Sequence, residues 1–214
     1  LIHQQNRGRA AARNVGISIS DAEIIIFCDG DRFPKQDFIE QHINSHKNGN
    51  KIVIGASYDY FGKSATTSSE NFDWNYVYRF SRLPSYYKKI SKIYTPQGDT
   101  QSNLAWMSLL VGNSSIRKDL LLKVSGFNEK IVEWGFEHFE LALRLQNLNY
   151  PFFLNRNAIN YHVPHPRKPG FYNEMIKKNL EDFSIMYPFV NISIVEKLLK
   201  LEIDISQAEN MIFY

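Results

Sequence analysis

The sequence predicts an α/β fold in which helices cover a parallel or mixed sheet, and two observations indicate this class. Residues 24–27 form a continuous apolar run rich in β-branched side chains, which is typical of a strand covered on both faces. Segments with the helical spacing of apolar residues precede and follow that run. The 214 residues are enough for one sizeable domain with its own core.

The composition is that of a globular protein. Hydrophobic residues make up 43% of the chain and charged residues 22%, which excludes general disorder, and the formal net charge of +3 does not indicate wholesale binding of polyanions. The single cysteine, Cys28, cannot form an internal disulfide and is predicted to be buried. The sequence contains no apolar stretch of about 18 residues that would predict a spanning helix. We therefore expect a cytoplasmic protein.

The first predicted element is a helix over residues 9–19. Ala12 and Val15 recur at helical spacing and are expected to face the sheet, while Arg9 and Arg13 share the other face at i, i+4. Two arginines on one turn can bind phosphate oxygens through paired hydrogen bonds, and the alternative interpretation is a solvated basic face.

The predicted strand at residues 24–28 leads into two acids, Asp29 and Asp31, which are separated by Gly30. Ligands of open α/β sheets bind at the carboxyl ends of such strands. Two acids at i and i+2, with a glycine that lets the backbone turn closely, suit a divalent cation and its phosphates. The alternative is an ordinary Asp-Gly turn.

The next helix is predicted to begin at residues 32–34, with a proline in its first turn. Phe38, Ile39 and Ile43 form its expected buried stripe, and His42 and His46 are expected on its surface. Further strands are predicted at residues 51–56, at the start of residues 109–117, and at residues 151–154 and 158–159. Further helices are predicted at residues 118–124, 137–148, 172–187 and 194–201.

A basic and aromatic segment spans residues 74–98, which contain no acid. Its lysines and arginines are interleaved with tyrosines, a pattern that suits contact with a lipid surface or an anionic acceptor. We treat it as a candidate surface for peripheral contact with the inner face of a membrane, the alternative being a solvated, tyrosine-packed insertion. The sequence contains no recognised nucleic-acid module, so we expect no nucleic-acid partner.

Titratable residues also stand at the ends of two later elements. Glu137 and His138 occupy the first turn of a predicted helix, where such groups are often placed for work on a ligand, although they also complement the helix dipole. His162 and His165 follow a predicted strand and lie beside prolines. Imidazoles at the end of a strand are candidate metal ligands, whereas a pair of histidines is more commonly structural.

Several short motifs follow one another along the chain: Asn6-Arg7-Gly8, Ala12-Arg13-Asn14, Asp29-Gly30-Asp31, Gly112-Asn113 with Arg117, Gly126-Phe127-Asn128-Glu129, Trp134-Gly135-Phe136-Glu137 and His162. In this order they resemble family 2 glycosyltransferases of the GT-A fold, and the resemblance covers residues 4–187. The resemblance implies a Rossmann-like mixed sheet flanked by helices whose first, nucleotide-binding strands are missing from this chain. It also implies a partial glycosyltransferase domain over residues 1–188, followed by a helical extension over residues 189–214.

The resemblance implies a metal site that bridges the donor. Asp29 would contact the ribose or the donor sugar, and Asp31, in the family's DXD motif, would bind Mn²⁺ or Mg²⁺ on the nucleotide diphosphate. His162 would approach the same metal from the far side, with His165 as its substitute. The metal would stabilise the negative charge that develops on the diphosphate as it leaves.

Other roles follow from the same resemblance. Arg13 would lie near the nucleotide or its phosphates, Gly112 and Asn113 would line the sugar pocket, and Trp134 would stack on a sugar ring of the acceptor. The helix that starts after Gly135 would carry the base that deprotonates the acceptor.

The start of that helix departs from the family pattern. Many relatives have Glu-Asp there, with the aspartate as the base, whereas this chain has Glu137 and His138. Both can accept a proton at pH 7. We prefer Glu137 because it keeps the family's residue type, although His138 stands at the position of the usual base.

The leading hypothesis is a metal-dependent, inverting hexosyl- or N-acetylhexosaminyltransferase. It would use a nucleotide-sugar donor, most simply a UDP-sugar, and a glycan or glycoconjugate acceptor in the assembly of bacterial-type surface polysaccharides. One alternative is a non-catalytic GT-A-like domain that binds sugars or acts as a scaffold. A metal-dependent nucleotidyltransferase is a third class, which the lack of a glycine-rich phosphate loop followed by lysine disfavours.

Overall fold

A mixed β-sheet forms the centre of the protein. The computed structural model describes residues 2–47, 49, 51–62, 73–132 and 135–214, and within these residues six strands belong to one sheet. The strands are β1 (Ile24–Cys28), β2 (Arg32–Pro34), β3 (Ile52–Tyr60), β4 (Ser81–Arg82), β5 (Asn113–Arg117) and β6 (Phe152–His162). The helices are α1 (Gly8–Ile19), α2 (Phe38–Ser45), α3 (Trp74–Arg79), α4 (Ser85–Ile90), α5 (Lys118–Lys123), α6 (Glu137–Asn147), α7 (Phe171–Met186), α8 (Ile192–Leu199) and α9 (Ile205–Met211).

The strand order β1-β5-β3-β6-β2 brings several strand ends to the same edge of the sheet. β3 and β6 are parallel, whereas the pairs β1–β5, β5–β3 and β6–β2 are antiparallel; β4 pairs with the end of β3. The carboxyl ends of β1, β3 and β6 therefore meet the amino ends of β5 and β2. This arrangement confirms the predicted mixed sheet and places the polar residues that follow β1 beside those that end β6.

A large hydrophobic cluster joins helices to the sheet. It includes strand residues such as Ile54, helix residues such as Leu141, and the stacked rings of Trp106 and Phe183, whose centroids are 5.7 Å apart. Val195 of α8 belongs to the same cluster, so the C-terminal helices share this core. Among the described residues, no helix combines the length and the apolar character that crossing a bilayer requires.

The predicted helix α1 is confirmed, but the face expected to be inward was wrong. Ala10, Ala11 and Ile17 are buried, whereas Ala12 is exposed, and the Arg13 side chain is only 15% exposed. Small residues occur on several sides of this helix, so its apolar pattern alone does not define which side packs.

The expected helix start at residues 32–34 was also wrong, because this segment is the edge strand β2. Arg32 pairs with His162 and Phe33 with Tyr161 of β6. Pro34 is tolerated because an edge strand leaves some N–H positions without a ladder partner. The partner strand is distant in sequence, so local spacing could not reveal the pairing.

Helix α2 buries Phe38 as expected, but the rest of its buried face differs from the one predicted. His42 is fully buried and His46 nearly so, whereas Ile39 is 61% and Ile43 44% exposed. Ser115 of β5 presents its hydroxyl to this helix, and both imidazoles bond to it. His42 Nδ1 lies 2.9 Å and His46 Nε2 lies 2.8 Å from Ser115 Oγ. Burial lowers the pKa of both imidazoles to about 4, so both are neutral at pH 7.

Two further differences concern β5 and β1. The strand expected at the start of residues 109–117 instead occupies its polar second half, Asn113–Arg117, where neighbouring groups bond to the buried side chains of Asn113 and Ser115. Cys28, expected to be buried, is exposed because β1 lies at the edge of the described sheet.

Candidate active site

A cleft of about 430 Å³ lies at the edge of the sheet where the strand ends meet. It is lined by residues that the sequence analysis selected from distant parts of the chain. These are Arg13, Asp29, Asp31, Gly112, Glu137, His138, His162 and His165.

Two arginines hold Asp29 at one side of the cleft. Arg13 Nη2 donates to Asp29 Oδ1 at 3.1 Å, and Arg32 Nε lies 3.8 Å from Asp29 Oδ2. Gly112 makes room for the second arginine, because a Cβ at this position would lie 2.2 Å from Arg32 Nε. Arg32 was not predicted as a site residue, because residues 32–34 were expected to begin a helix.

Glu137 is almost completely buried and binds Arg13. Its Oε1 accepts a hydrogen bond of 2.8 Å from Arg13 Nη1, while its side chain is 2% exposed. Burial acts to raise the pKa of Glu137, but the neighbouring His138 and Arg13 outweigh it and lower the pKa to about 2. At neutral pH this carboxylate is ionised and has little affinity for a proton.

Glu137 is presented by a strained turn. Gly135 has φ +92°, and the next residue, Phe136, has φ +67°, a left-handed conformation that costs free energy for a side chain with a Cβ. Packing holds this conformation, because the Phe136 ring lies 5.5 Å from that of Phe139 and 5.7 Å from that of Phe183. The turn therefore directs the first residues of α6 into the cleft.

His138 lies at the wall of the cleft beside Glu137. Its Nδ1 is 3.8 Å from Glu137 Oε2, which is longer than a hydrogen bond. Both atoms are buried and have no hydrogen-bond partner among the described residues. The imidazole is thus close to a carboxylate without being bonded to it.

Asp31, His162 and His165 form a cluster of metal-type ligands. Their ligand atoms all lie within 4.8 Å of one another. Asp31 Oδ1 is buried without a hydrogen-bond partner among the described residues, as expected of an atom that binds a cation. His162 is better placed than His165 to bind a cation, because Nε2 of His165 already accepts a hydrogen bond of 2.9 Å from Arg167.

Asp59 is a residue of this site that the sequence analysis missed. It lies at the end of β3, in register with His162, and its Oδ1 is 2.8 Å from His162 Nδ1. The rule that selected Asp29, an acid at the carboxyl end of a strand, would have selected Asp59 if the predicted strand had been extended beyond residue 56.

Two predicted site residues are not part of the described cleft. Asn113 is buried below it: its Nδ2 donates to the carbonyl oxygens of Ala56 and Ala158, and its Oδ1 lies 3.0 Å from His42 Nε2. The amide joins β5 to β3 and β6, and it does so because the neighbouring strands offer carbonyls within its reach. Trp134 lies outside the described residues.

Within the basic segment 74–98, some of the residues expected to form a surface for membrane contact instead contact other parts of the protein. Tyr86 lines the cleft, Tyr87 is buried, and Lys89 Nζ donates to the carbonyls of Leu201 and Ile203. Contact of this segment with a membrane stays a prediction.

Comparison with known proteins adds to this geometry. The family model described as glycosyl transferase family 2 matches residues 1–120, and that described as N-terminal domain of galactosyltransferase matches residues 98–166. An uncharacterized glycosyltransferase of Bacillus subtilis, YfnE, is 23% identical over 196 residues, which cover 76% of this chain and 50% of YfnE. The chain spans about half the length of the curated relatives it matches.

Solved structures show the same fold. GalNAc-T7, crystallised with UDP, GalNAc and Mn²⁺, superposes with a TM-score of 0.52 at 12% identity over 76% of this chain and 32% of that one. TarS of S. aureus in complex with UDP gives a TM-score of 0.50 at 14% identity over 86% of this chain and 47% of that one. Both are GT-A glycosyltransferases, so the expected GT-A fold is confirmed. Because the first family model covers more than half of the 214 residues, the chain belongs to glycosyl transferase family 2.

Proposed function

We propose that this protein is a metal-dependent, inverting glycosyltransferase that moves a sugar from a UDP-sugar to a glycan or glycoconjugate acceptor. The observation that carries the proposal is that one cleft holds both a cluster of metal-type ligands, Asp31, His162 and His165, and a candidate base at Glu137–His138. The two structural neighbours, solved with UDP and in one case with Mn²⁺, support the choice of donor and metal.

Asp31 and His162 would hold the divalent cation, with His165 as a third ligand after it releases Arg167. A carboxylate suits Mn²⁺, and imidazole is a common metal ligand. Asp31 Oδ1, which has no hydrogen-bond partner among the described residues, fits such a role. When bound, Mn²⁺ or Mg²⁺ supplies positive charge that stabilises the leaving diphosphate.

Asp29 is proposed to bind the donor. Its side chain is 40% exposed in the cleft, and a carboxylate can accept hydrogen bonds from the hydroxyls of a ribose or sugar. Arg13 bonds both Asp29 and Glu137, so we assign it the role of fixing these two acids relative to each other. Gly112 keeps space for Arg32 beside them.

We assign the base to His138, in place of the Glu137 preferred from sequence. A carboxylate with a pKa of about 2 is a weak base at neutral pH, whereas imidazole accepts a proton readily there. Glu137, 3.8 Å from His138 Nδ1, would then stabilise the imidazolium that forms.

The proposed reaction is a single displacement. The acceptor hydroxyl gives its proton to His138 while its oxygen forms a bond to the anomeric carbon of the donor sugar. The bond between that carbon and the phosphate oxygen breaks, and the diphosphate leaves with the electron pair. Attack from the face opposite the leaving group inverts the configuration at the anomeric carbon.

The test uses protein purified from its complete coding sequence and measures UDP release from a panel of UDP-sugars with Mn²⁺. Asp31→Ala should abolish turnover, and His138→Ala should lower kcat by about 10²–10⁴-fold, the usual contribution of a general base. Asp99→Asn, which removes an exposed acid beside Lys51, is the control and should leave turnover unchanged.

Full activity of Asp31→Ala would contradict the metal assignment. A larger loss of kcat in Glu137→Gln than in His138→Ala would return the base to Glu137. If the wild type turns over none of the UDP-sugars, the non-catalytic sugar-binding alternative gains support.

A further inference from the structure

The carboxylate of Asp59 touches a predicted metal ligand without belonging to the metal-type cluster. We propose that Asp59 is a positioning residue that holds the His162 ring in the tautomer and orientation needed to bind the cation. This inference rests on the proposed metal site, and it assigns a role to a residue outside it.

The backbone places Asp59 beside His162. β3 and β6 are parallel, and their register pairs Asp59 with His162 as the last pair of the ladder. Residues paired in this way carry their side chains on the same face of the sheet. The contact between Asp59 Oδ1 and His162 Nδ1, 2.8 Å, is therefore built into the strand pairing.

This contact determines which ring nitrogen is available to a cation. A carboxylate only accepts hydrogen bonds, so His162 Nδ1 must carry the hydrogen that it donates to Asp59. In the neutral ring, Nε2 then holds the lone pair, and Nε2 is the atom that lies 3.7 Å from Asp31 Oδ2. Without Asp59, the ring could rotate or place its hydrogen on Nε2, and either change would remove the ligand.

Two observations separate Asp59 from the ligands themselves. Asp31, His162 and His165 have ligand atoms within 4.8 Å of one another, and Asp59 is not part of this set. Asp59 also lies opposite Arg82 in the β3–β4 pair, yet its carboxylate contacts His162. Both partners are partly shielded, with side chains 29% and 24% exposed, which favours a persistent hydrogen bond.

His162 is held toward Asp31 from the backbone as well. Val163 N donates to the Asp31 carbonyl at 2.9 Å, which fixes the end of β6 against the turn that carries Asp31. The backbone thus brings Asp31 and His162 together, and Asp59 fixes the orientation and tautomer of the His162 ring. Carboxylate partners of this kind commonly orient metal-binding histidines, and their loss costs about 10–100-fold in metal affinity.

The experiment measures Mn²⁺ affinity by calorimetry, without donor or acceptor, on protein purified from its complete coding sequence. Asp59→Ala should weaken Mn²⁺ binding by about 10–100-fold. Asp59→Asn, whose amide oxygen can still accept from Nδ1, should weaken it by less than Asp59→Ala. Asp31→Ala should abolish binding, and Asp99→Asn should leave the affinity unchanged.

A second readout is the tautomer of His162, read from its ring ¹⁵N shifts without metal. The wild type should show hydrogen on Nδ1, and Asp59→Ala should show a mixture. If Asp59→Ala does not fold, as judged by circular dichroism, Asp59→Asn alone carries the comparison.

The outcomes are distinct. A wild type that does not bind Mn²⁺ overturns the proposed metal site and this inference with it. A wild type that binds, with both Asp59 variants binding equally well, overturns this inference alone. Loss of binding in Asp59→Asn as complete as in Asp31→Ala would show that Asp59 is a ligand and overturn the positioning role.

Discussion

The buried carboxylate of Glu137, beside His138 and Arg13, makes stability depend on pH in a way that Glu137→Gln should reveal. The pKa of Glu137 is lowered from 4.5 to about 2 in the folded protein. A shift of this size means that the ionised carboxylate contributes about 3 kcal/mol to the free energy of unfolding at pH 7. The side chain is nearly inaccessible to solvent, so screening reduces this figure little.

The direction of the pH dependence follows from the lowered pKa. The stabilisation is complete above about pH 4.5, the ordinary pKa, and is lost as the pH falls toward 2. Glutamine cannot ionise, so Glu137→Gln lacks this component at every pH. The difference in unfolding free energy between wild type and variant should therefore shrink by about half between pH 7 and pH 3.

The assay is urea unfolding at several pH values from 7 to 3. Glu23→Gln is the control, because Glu23 is 83% exposed and pairs with Arg117 only at 3.7 Å. Its effect should stay within about 0.5 kcal/mol at each pH, as for most surface ion pairs. The reasoning is refuted if the difference between wild type and Glu137→Gln stays constant from pH 7 to pH 3.

Two glycine substitutions should have different effects, one on donor binding and the other on stability. In Gly112→Ala, the new Cβ would lie 2.2 Å from Nε of Arg32, a side chain that can move away. The KM for the donor should therefore rise several-fold, while the free energy of unfolding should change by less than about 1 kcal/mol. An unchanged donor KM in UDP-release kinetics would contradict this prediction. In Gly55→Ala, the new Cβ would lie 2.4 Å from the carbonyl oxygen of Ala158, which belongs to the backbone and cannot move away as a side chain can. This substitution should destabilise the protein by about 1–3 kcal/mol. An unchanged melting temperature would count against this steric clash.

Much of the cleft was predictable because its residues stand beside elements with clear local signals. The apolar run of β1 predicts a strand, and Asp29 and Asp31 follow it directly. Glu137 and His138 begin a helix with a regular apolar stripe, and His162 follows a predicted strand. Their position at the end of a strand or helix was enough to identify these residues as candidate site residues. The order of the motifs then indicated the family.

The inner face of α2 was not predictable in the same way. Ile39 and Ile43 have the more apolar side chains, but the buried face carries His42 and His46. Which face packs depends on the partner surface, and here that surface presents polar groups of β5, including Ser115 Oγ. Local hydrophobicity contains no information about that partner.

The contacts that give the cleft its chemistry are also non-local. Arg13 and Glu137 are 124 residues apart, and Asp59 and His162 are 103 apart. The sequence indicated that charged residues stand at strand and helix ends, but not which acid meets which base, because that depends on strand order and register. The lowered pKa of Glu137 and the hydrogen bond from His162 to Asp59 arise from these pairings, so they became visible only once the sheet was assembled.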